Sequence, residues 1–197
     1  MQATSVIPIV FADSGDPVAN GLVASLARPG GNITDLSNQQ TDLTGKRIQL
    51  LREVVPGLRR LAILGNVGNP GIVREMSEAQ AAARMLGLDV VTFEIRRAED
   101  IAPAFETFKR RVDALSVVGD PLTITNRVRI ITLALAARLP TIFSSREHVE
   151  AGGLMSYGPN QIDQYRRAAD FVERFCGGKS QPTSRSSSRL SSISSST

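Results

Sequence analysis

Short runs apolar at nearly every position, each followed by a stretch whose apolar residues recur at helical spacing, limit the fold of this chain more than any other feature. Arg60 to Gly65, Leu88 to Ile95, Ala114 to Gly119 and Thr141 to Phe143 are such runs. Runs of this kind predict strands covered on both faces. Between them, helices are predicted with faces Leu43, Ile48, Leu51 and Val55, then Ile72, Val73, Met76, Ala79, Ala83 and Leu86, then a stretch over 99–111. A long helix over 122–139 follows, with Ile124, Val128, Ile131 and Leu135 inward, and a short one over 146–151. Alternating strands and helices imply an α/β fold with parallel sheets flanked by helices. Right-handed crossovers then bring the carboxyl ends of all the strands to one edge, where ligands of such sheets bind.

Two glycine-rich segments bracket this alternation, Ala27 to Thr34 and Gly152 to Pro159. Glycine gives the chain the backbone freedom to change direction there. They read as crossovers joining one complete lobe to the remnant of another. Residues 1–36 hold a strand over Val6 to Ala12, a helix opening at Asp16-Pro17 and the first crossover. Residues 37–155 form the complete second lobe. The second crossover and a returning helix over Gln161 to Cys176 occupy 156–179, with Ile162, Tyr165, Ala169, Val172 and Phe175 on one side. Residues 180–197 are dominated by serine, too poor in apolar residues to offset ordering entropy, and are expected to be disordered. The abrupt change of composition fits either a native linker or a shifted reading frame.

The net charge of +4 is spread among interleaved acidic and basic residues with no basic block, so nucleic acid is not an expected partner. The single cysteine, Cys176, excludes an intramolecular disulfide and a cysteine-based zinc site. No apolar run reaches the roughly 18 residues of a membrane span, and no signal-peptide pattern opens the chain. Gly65 to Gly71 lacks the Lys-Ser/Thr of a phosphate loop, and no Gly-x-Ser-x-Gly elbow occurs. The lone histidine, His148, has no nucleophile at a telling spacing. A binding protein without catalytic residues, cofactor or metal is the expectation.

The residues expected at the binding edge are Asp13, Ser14 and Asp16 after the first strand, Asn66 after the next, and Asp120, Ser144, Arg146 and Glu147 after later ones. The crossovers add Asn32, Thr34, Ser37, Ser156 and Tyr157. Hydroxyls, amides, both charges and nearby helix N-termini suit a small polar or zwitterionic ligand whose carboxylate meets backbone N–H groups. Each residue also has a plainer reading. Asp16 and Asp120 precede proline and suit helix caps; Asn66 and Asn32 suit turns; Arg146 and Glu147 suit an exposed pair; Tyr157 suits a core.

Ile7 to Ala12, Gly15-Asp16-Pro17-Val18, Leu26 to Thr34, Gly45-Lys46-Arg47 and Glu150 to Gly158 together resemble the substrate-binding proteins of bacterial ABC importers, in the group that includes tryptophan- and other aromatic-amino-acid-binding lipoproteins. The resemblance runs from about Ile7 to Gly178. It implies a type I periplasmic-binding-protein fold, a solute gripped between lobes, a permease and ATPase as partners, and a periplasmic or extracytoplasmic location. Set against that resemblance, the chain is expected to lack the family's signal peptide, most of its first lobe and its last strands. The resemblance thus also implies impaired binding and self-association through the exposed first-lobe remnant. The alternative is the effector domain of a transcription regulator of the same hinged fold, although nothing before Val6 could form its helix-turn-helix.

Overall fold

The computed structural model describes residues 7, 9–14, 33–37, 40–108, 111–176 and 194–195. They fall into two compact units, one of Met1–Gln39 with Pro159–Leu190 and the other of Gln40–Gly158 with Ser191–Thr197. The helix expected from Asp16-Pro17 lies outside the described residues.

In the first unit, β1 (Ile9–Ser14) and β2 (Ile33–Ser37) pair in parallel, Ile9 opposite Ile33 and Ser14 opposite Ser37, with an irregular register between Phe11 and Ser14. The strand runs later than the apolar pattern alone indicates, so Asp13 and Ser14 belong to it rather than to the loop beyond. Helix α7 (Gln161–Cys176) packs on β1. Its stripe of Ile162, Tyr165 and Val172 points outward, 64%, 56% and 47% exposed, while Ala168 is buried. The sequence pattern identified the stripe but not which side of the helix the sheet covers.

The second unit runs α1 (Gln40–Val54), β3 (Arg60–Asn66), α2 (Pro70–Met85), β4 (Asp89–Ile95), α3 (Ile101–Phe108), β5 (Ala114–Val117), α4 (Pro121–Thr125), α5 (Arg127–Ala136), β6 (Thr141–Phe143), α6 (Arg146–Glu150) and β7 (Met155–Ser156). Its six-stranded sheet has the order β4-β3-β5-β6-β7-β8, parallel as far as β7. The last member, β8 (Ser194–Ser195), lies antiparallel to β7.

Period-two geometry explains the apolar runs. In β3, Leu61 and Ile63 enter a core with Ile48 and Leu51 of α1 and Ile72, Met76, Ala79 and Ala83 of α2. Ala62 and Leu64 enter a second core on the other face, with Ile101 and Phe105 of α3 and Ile130, Ile131 and Ala134 of α5. A fully buried Leu or Ile contributes about 1.5–3 kcal/mol by leaving water, so a strand apolar on both faces is secured only when both are covered. Asn69 caps α2, its side-chain oxygen accepting the Gly71 N–H at 3.0 Å, with Pro70 in the first turn, where a missing N–H costs nothing.

Three helices differ from the sequence pattern. The stretch over 99–111 is a 3₁₀ turn, Ala98–Asp100, followed by α3; Asp100 Oδ2 accepts the Arg96 and Arg97 N–H groups at 2.8 and 2.9 Å. In α2, Val73 is largely outside, while Glu75 is buried. The long helix over 122–139 is two helices, broken at Asn126, whose backbone leaves the helical region and whose Nδ2 donates to the Leu122 carbonyl at 2.9 Å. The break resets the helical phase. Val128 and Leu135 therefore face out, 62% and 64% exposed, and Ile130, Ile131 and Ala134 carry the contact. Replacing Ile131 by alanine is expected to lower unfolding stability by about 2–4 kcal/mol and replacing Val128 by no more than about 0.5. Urea titration of the two variants checks this; equal losses would restore the unbroken helix.

Candidate functional site

Asn66, Asp120, Ser144 and Ser156 stand at the carboxyl ends of β3, β5, β6 and β7, four neighbouring strands of one sheet. Parallel direction alone brings them to the same edge. Asn66 Nδ2 donates to Asp120 Oδ2 at 2.7 Å, joining the ends of β3 and β5. Asn66 Oδ1 accepts the Gly68 N–H at 2.9 Å, so its turn role is also real.

Asp120 is buried and caps α4. Its Oδ1 accepts the Leu122 and Thr123 N–H groups at 2.9 and 3.1 Å, and the Thr123 hydroxyl accepts the Asp120 N–H at 2.9 Å in return. The amides opening α4 are thus occupied by Asp120, as its helix-cap reading expects. An ionised carboxylate offers about four lone pairs, so Asp120 can still accept one further donor.

Ser144 is buried, and among the described residues its Oγ has no hydrogen-bond partner. Its hydroxyl lies directly over Gly119, where a Cβ would overlap it. Its carbonyl abuts Gly158 as closely. Ser156, also buried, sits in register opposite Phe143.

The remaining expected residues are less concentrated. Tyr157 packs into the core beside α1 and α2. Arg146 pairs not with Glu147 but with Glu150, one helical turn on, at 3.0 Å and largely in solvent, where such a pair contributes little. Asp13 and Ser14 lie in β1 and Thr34 and Ser37 in β2, in the first unit. Asp16 and Asn32 lie outside the described residues. Among the described residues, no cluster of three or more His, Cys, Asp and Glu could hold a metal ion.

Two features differ from the sequence reading, which passed over Arg47 and gave His148 no serine partner. The first is Arg47, 2% exposed, whose Nη1 meets Glu75 Oε1 at 2.6 Å and whose Nε donates to the Tyr157 carbonyl at 2.9 Å. The signal was present: Arg47 follows Leu43 by four residues and Glu75 follows Ile72 by three, so opposite charges sit on the inward stripes of consecutive helices. The second is His148, wholly buried, stacked on Phe143 with ring centroids 4.4 Å apart, its Nδ1 2.9 Å from Ser145 Oγ. Burial pushes its pKa down from 6.5 to about 4, against the pull of the Glu147 carboxylate and the backbone of Thr123 and Ser145, and Arg127 adds to the depression. At neutral pH His148 is an uncharged ring stacked on Phe143.

The chain matches the family model for ABC transporter substrate binding proteins over residues 1–193. It is similar to a tyrosine-binding protein of Clostridioides difficile (strain R20291), 25% identical over 179 residues, which are 91% of this chain and 51% of that protein. A conserved domain protein of Vibrio cholerae O1 biovar El Tor N16961 superposes with a TM-score of 0.81 at 26% identity, over 90% of this chain and 59% of its own. An ABC domain in complex with L-Trp from Streptococcus pneumonia gives a TM-score of 0.81 at 25% identity, over 89% and 59%. The fold is that of type I periplasmic binding proteins. The chain spans about half the length of the curated relative.

The depressed His148 pKa gives a signed expectation. The unfolded chain binds the proton near pH 6.5 and the folded chain near 4, so this stabilisation is complete above pH 6.5 and is lost as pH falls toward 4. Between pH 7.5 and 4.5 the loss is about 2–3 kcal/mol. His148→Gln should flatten this part of the slope, as read by urea midpoints at the two pH values.

Proposed function

Because this chain belongs to the ABC transporter substrate binding protein family, we propose that it captures a small amino-acid-like solute at the carboxyl edge of its second-unit sheet. The observation that carries this reading is the convergence of Asn66, Asp120, Ser144 and Ser156 on that edge, with a buried Ser144 hydroxyl unpartnered among the described residues. A hydroxyl both donates and accepts, and Asp120 keeps a lone pair for an ammonium donor, so the set suits a zwitterion. Arg146, Glu147 and Tyr157 of the same unit complete the proposed contact set there.

The solute class we favour is an aromatic amino acid. The relative named for tyrosine and the structure holding L-Trp support that choice. The partners are a membrane permease and its ATPase, and the location is periplasmic or extracytoplasmic. Among the described residues no helix is long and apolar enough to cross a membrane.

A hinged receptor binds through the difference in affinity between its open and closed states. This chain spans about half the length of the curated relative. The outward Ile162, Tyr165 and Val172 supply an apolar stripe for self-association.

Thermal melting against L-Trp, L-Tyr, L-Phe, L-Lys and glucose tests the solute class. Ligand that binds only the native state raises Tm with concentration. The expected result is a rise with the three aromatic amino acids and none with lysine or glucose; a rise confined to glucose would overturn the reading. Light scattering across protein concentrations is expected to show mass growing with concentration. Tyr165→Glu should suppress the growth; a concentration-independent monomer would remove the association proposal.

A further inference from the structure

The proposed solute site includes the end of β7, the last parallel strand of the second-unit sheet, and the chain is held tightly as it leaves that strand. Strand β7 is only Met155–Ser156, so it has few ladder hydrogen bonds of its own. The next residue, Tyr157, is fixed at both ends. Its N–H donates to the Phe143 carbonyl at 3.0 Å, and its carbonyl accepts Arg47 Nε at 2.9 Å. Gly158 then seats against the Ser144 carbonyl so closely that any side chain would overlap it. The chain passes into the first unit at Pro159.

Arg47 itself needs explaining. An ion pair this buried is generally no more stabilising than a well-packed apolar pair of the same volume. Glu75 accounts for one edge of the guanidinium, and the other edge serves the Tyr157 carbonyl, 110 residues away in sequence. A guanidinium presents its donors as a rigid planar fork, so anchoring one edge aims the other. An ammonium is a point charge and cannot hold both acceptors in fixed directions.

We infer that Arg47, aimed by Glu75, is a positioning residue for the solute site. It holds the chain at Tyr157, keeps Ser156 and Ser144 in place on the carboxyl edge, and confines any pivoting of the crossover to the residues from Gly158 onward. The inference rests on the proposed reading of that edge as the solute site. Nothing in it requires Arg47 to touch the solute.

The double substitution Arg47→Met with Glu75→Met, made in the full chain, removes the fork without leaving an unpaired buried charge. Arg47→Lys keeps the charge and removes the fork. Hydrogen exchange read by mass spectrometry, melting temperature and L-Trp titration are compared with the unsubstituted chain. In both variants we expect faster exchange over residues 155–160, unchanged exchange in β3 to β5, and at least tenfold weaker L-Trp binding, with the double variant melting within a few degrees of the original. Unchanged exchange over 155–160 overturns the inference whatever the solute result. Faster exchange there with unchanged L-Trp affinity also overturns it, because the tie would then serve only the fold. If the unsubstituted chain binds no aromatic amino acid, the functional reading fails instead, and the exchange measurement still decides whether Arg47 holds the crossover.

Discussion

Strands β3 to β7 all run in one direction, and nearly everything else in the second unit follows from that constraint. A parallel pair cannot be joined by a tight turn, so each connection must return across a face of the sheet, usually as a helix. Helices on both faces demand strands that are apolar on both sides. The same direction delivers every strand's carboxyl end to one edge, and polar side chains unwelcome in either core collect there. Asn66 and Asp120 meet because of topology, since 54 residues separate them in the sequence.

That edge is polar but not loosely so. Asp120 is committed to two helix amides and the Asn66 amide before any ligand arrives. Such commitments fix the carboxylate's direction, which is what a binding group needs. Ser144 is held differently, by close approach to Gly119 and Gly158, whose lack of a Cβ lets backbone and hydroxyl meet. His148, stacked on Phe143 in the core, stays uncharged above the acid range.

Much of this was readable in the residues. The apolar runs at Arg60 to Gly65 and Ala114 to Gly119, Pro70 opening a helix, and the extent of α7 all follow from local rules. Local rules fail where tertiary contact chooses between equal alternatives. Nothing in 122–139 distinguishes a continuous helix from one reset at Asn126, because both keep an apolar face. In α7 the periodicity reveals the apolar stripe, but the side covered by β1 depends on a neighbour the periodicity does not contain. Arg47 and Glu75 lie on inward stripes that the periodicity does show, but their pairing with each other appears only once both helices are placed.

The Arg47 contact to Tyr157 also bears on the order in which the chain assembles. Adjacent strand–helix–strand segments can form from neighbouring sequence, but this hydrogen bond closes a loop of 110 residues. The entropy of so long a closure is recovered only once the intervening sheet has gathered its ends. Until then the guanidinium keeps its water, and its dehydration is deferred to the moment when both acceptors are in place. The contact that ties down the exit of the second unit therefore forms late, and its formation marks that unit as complete.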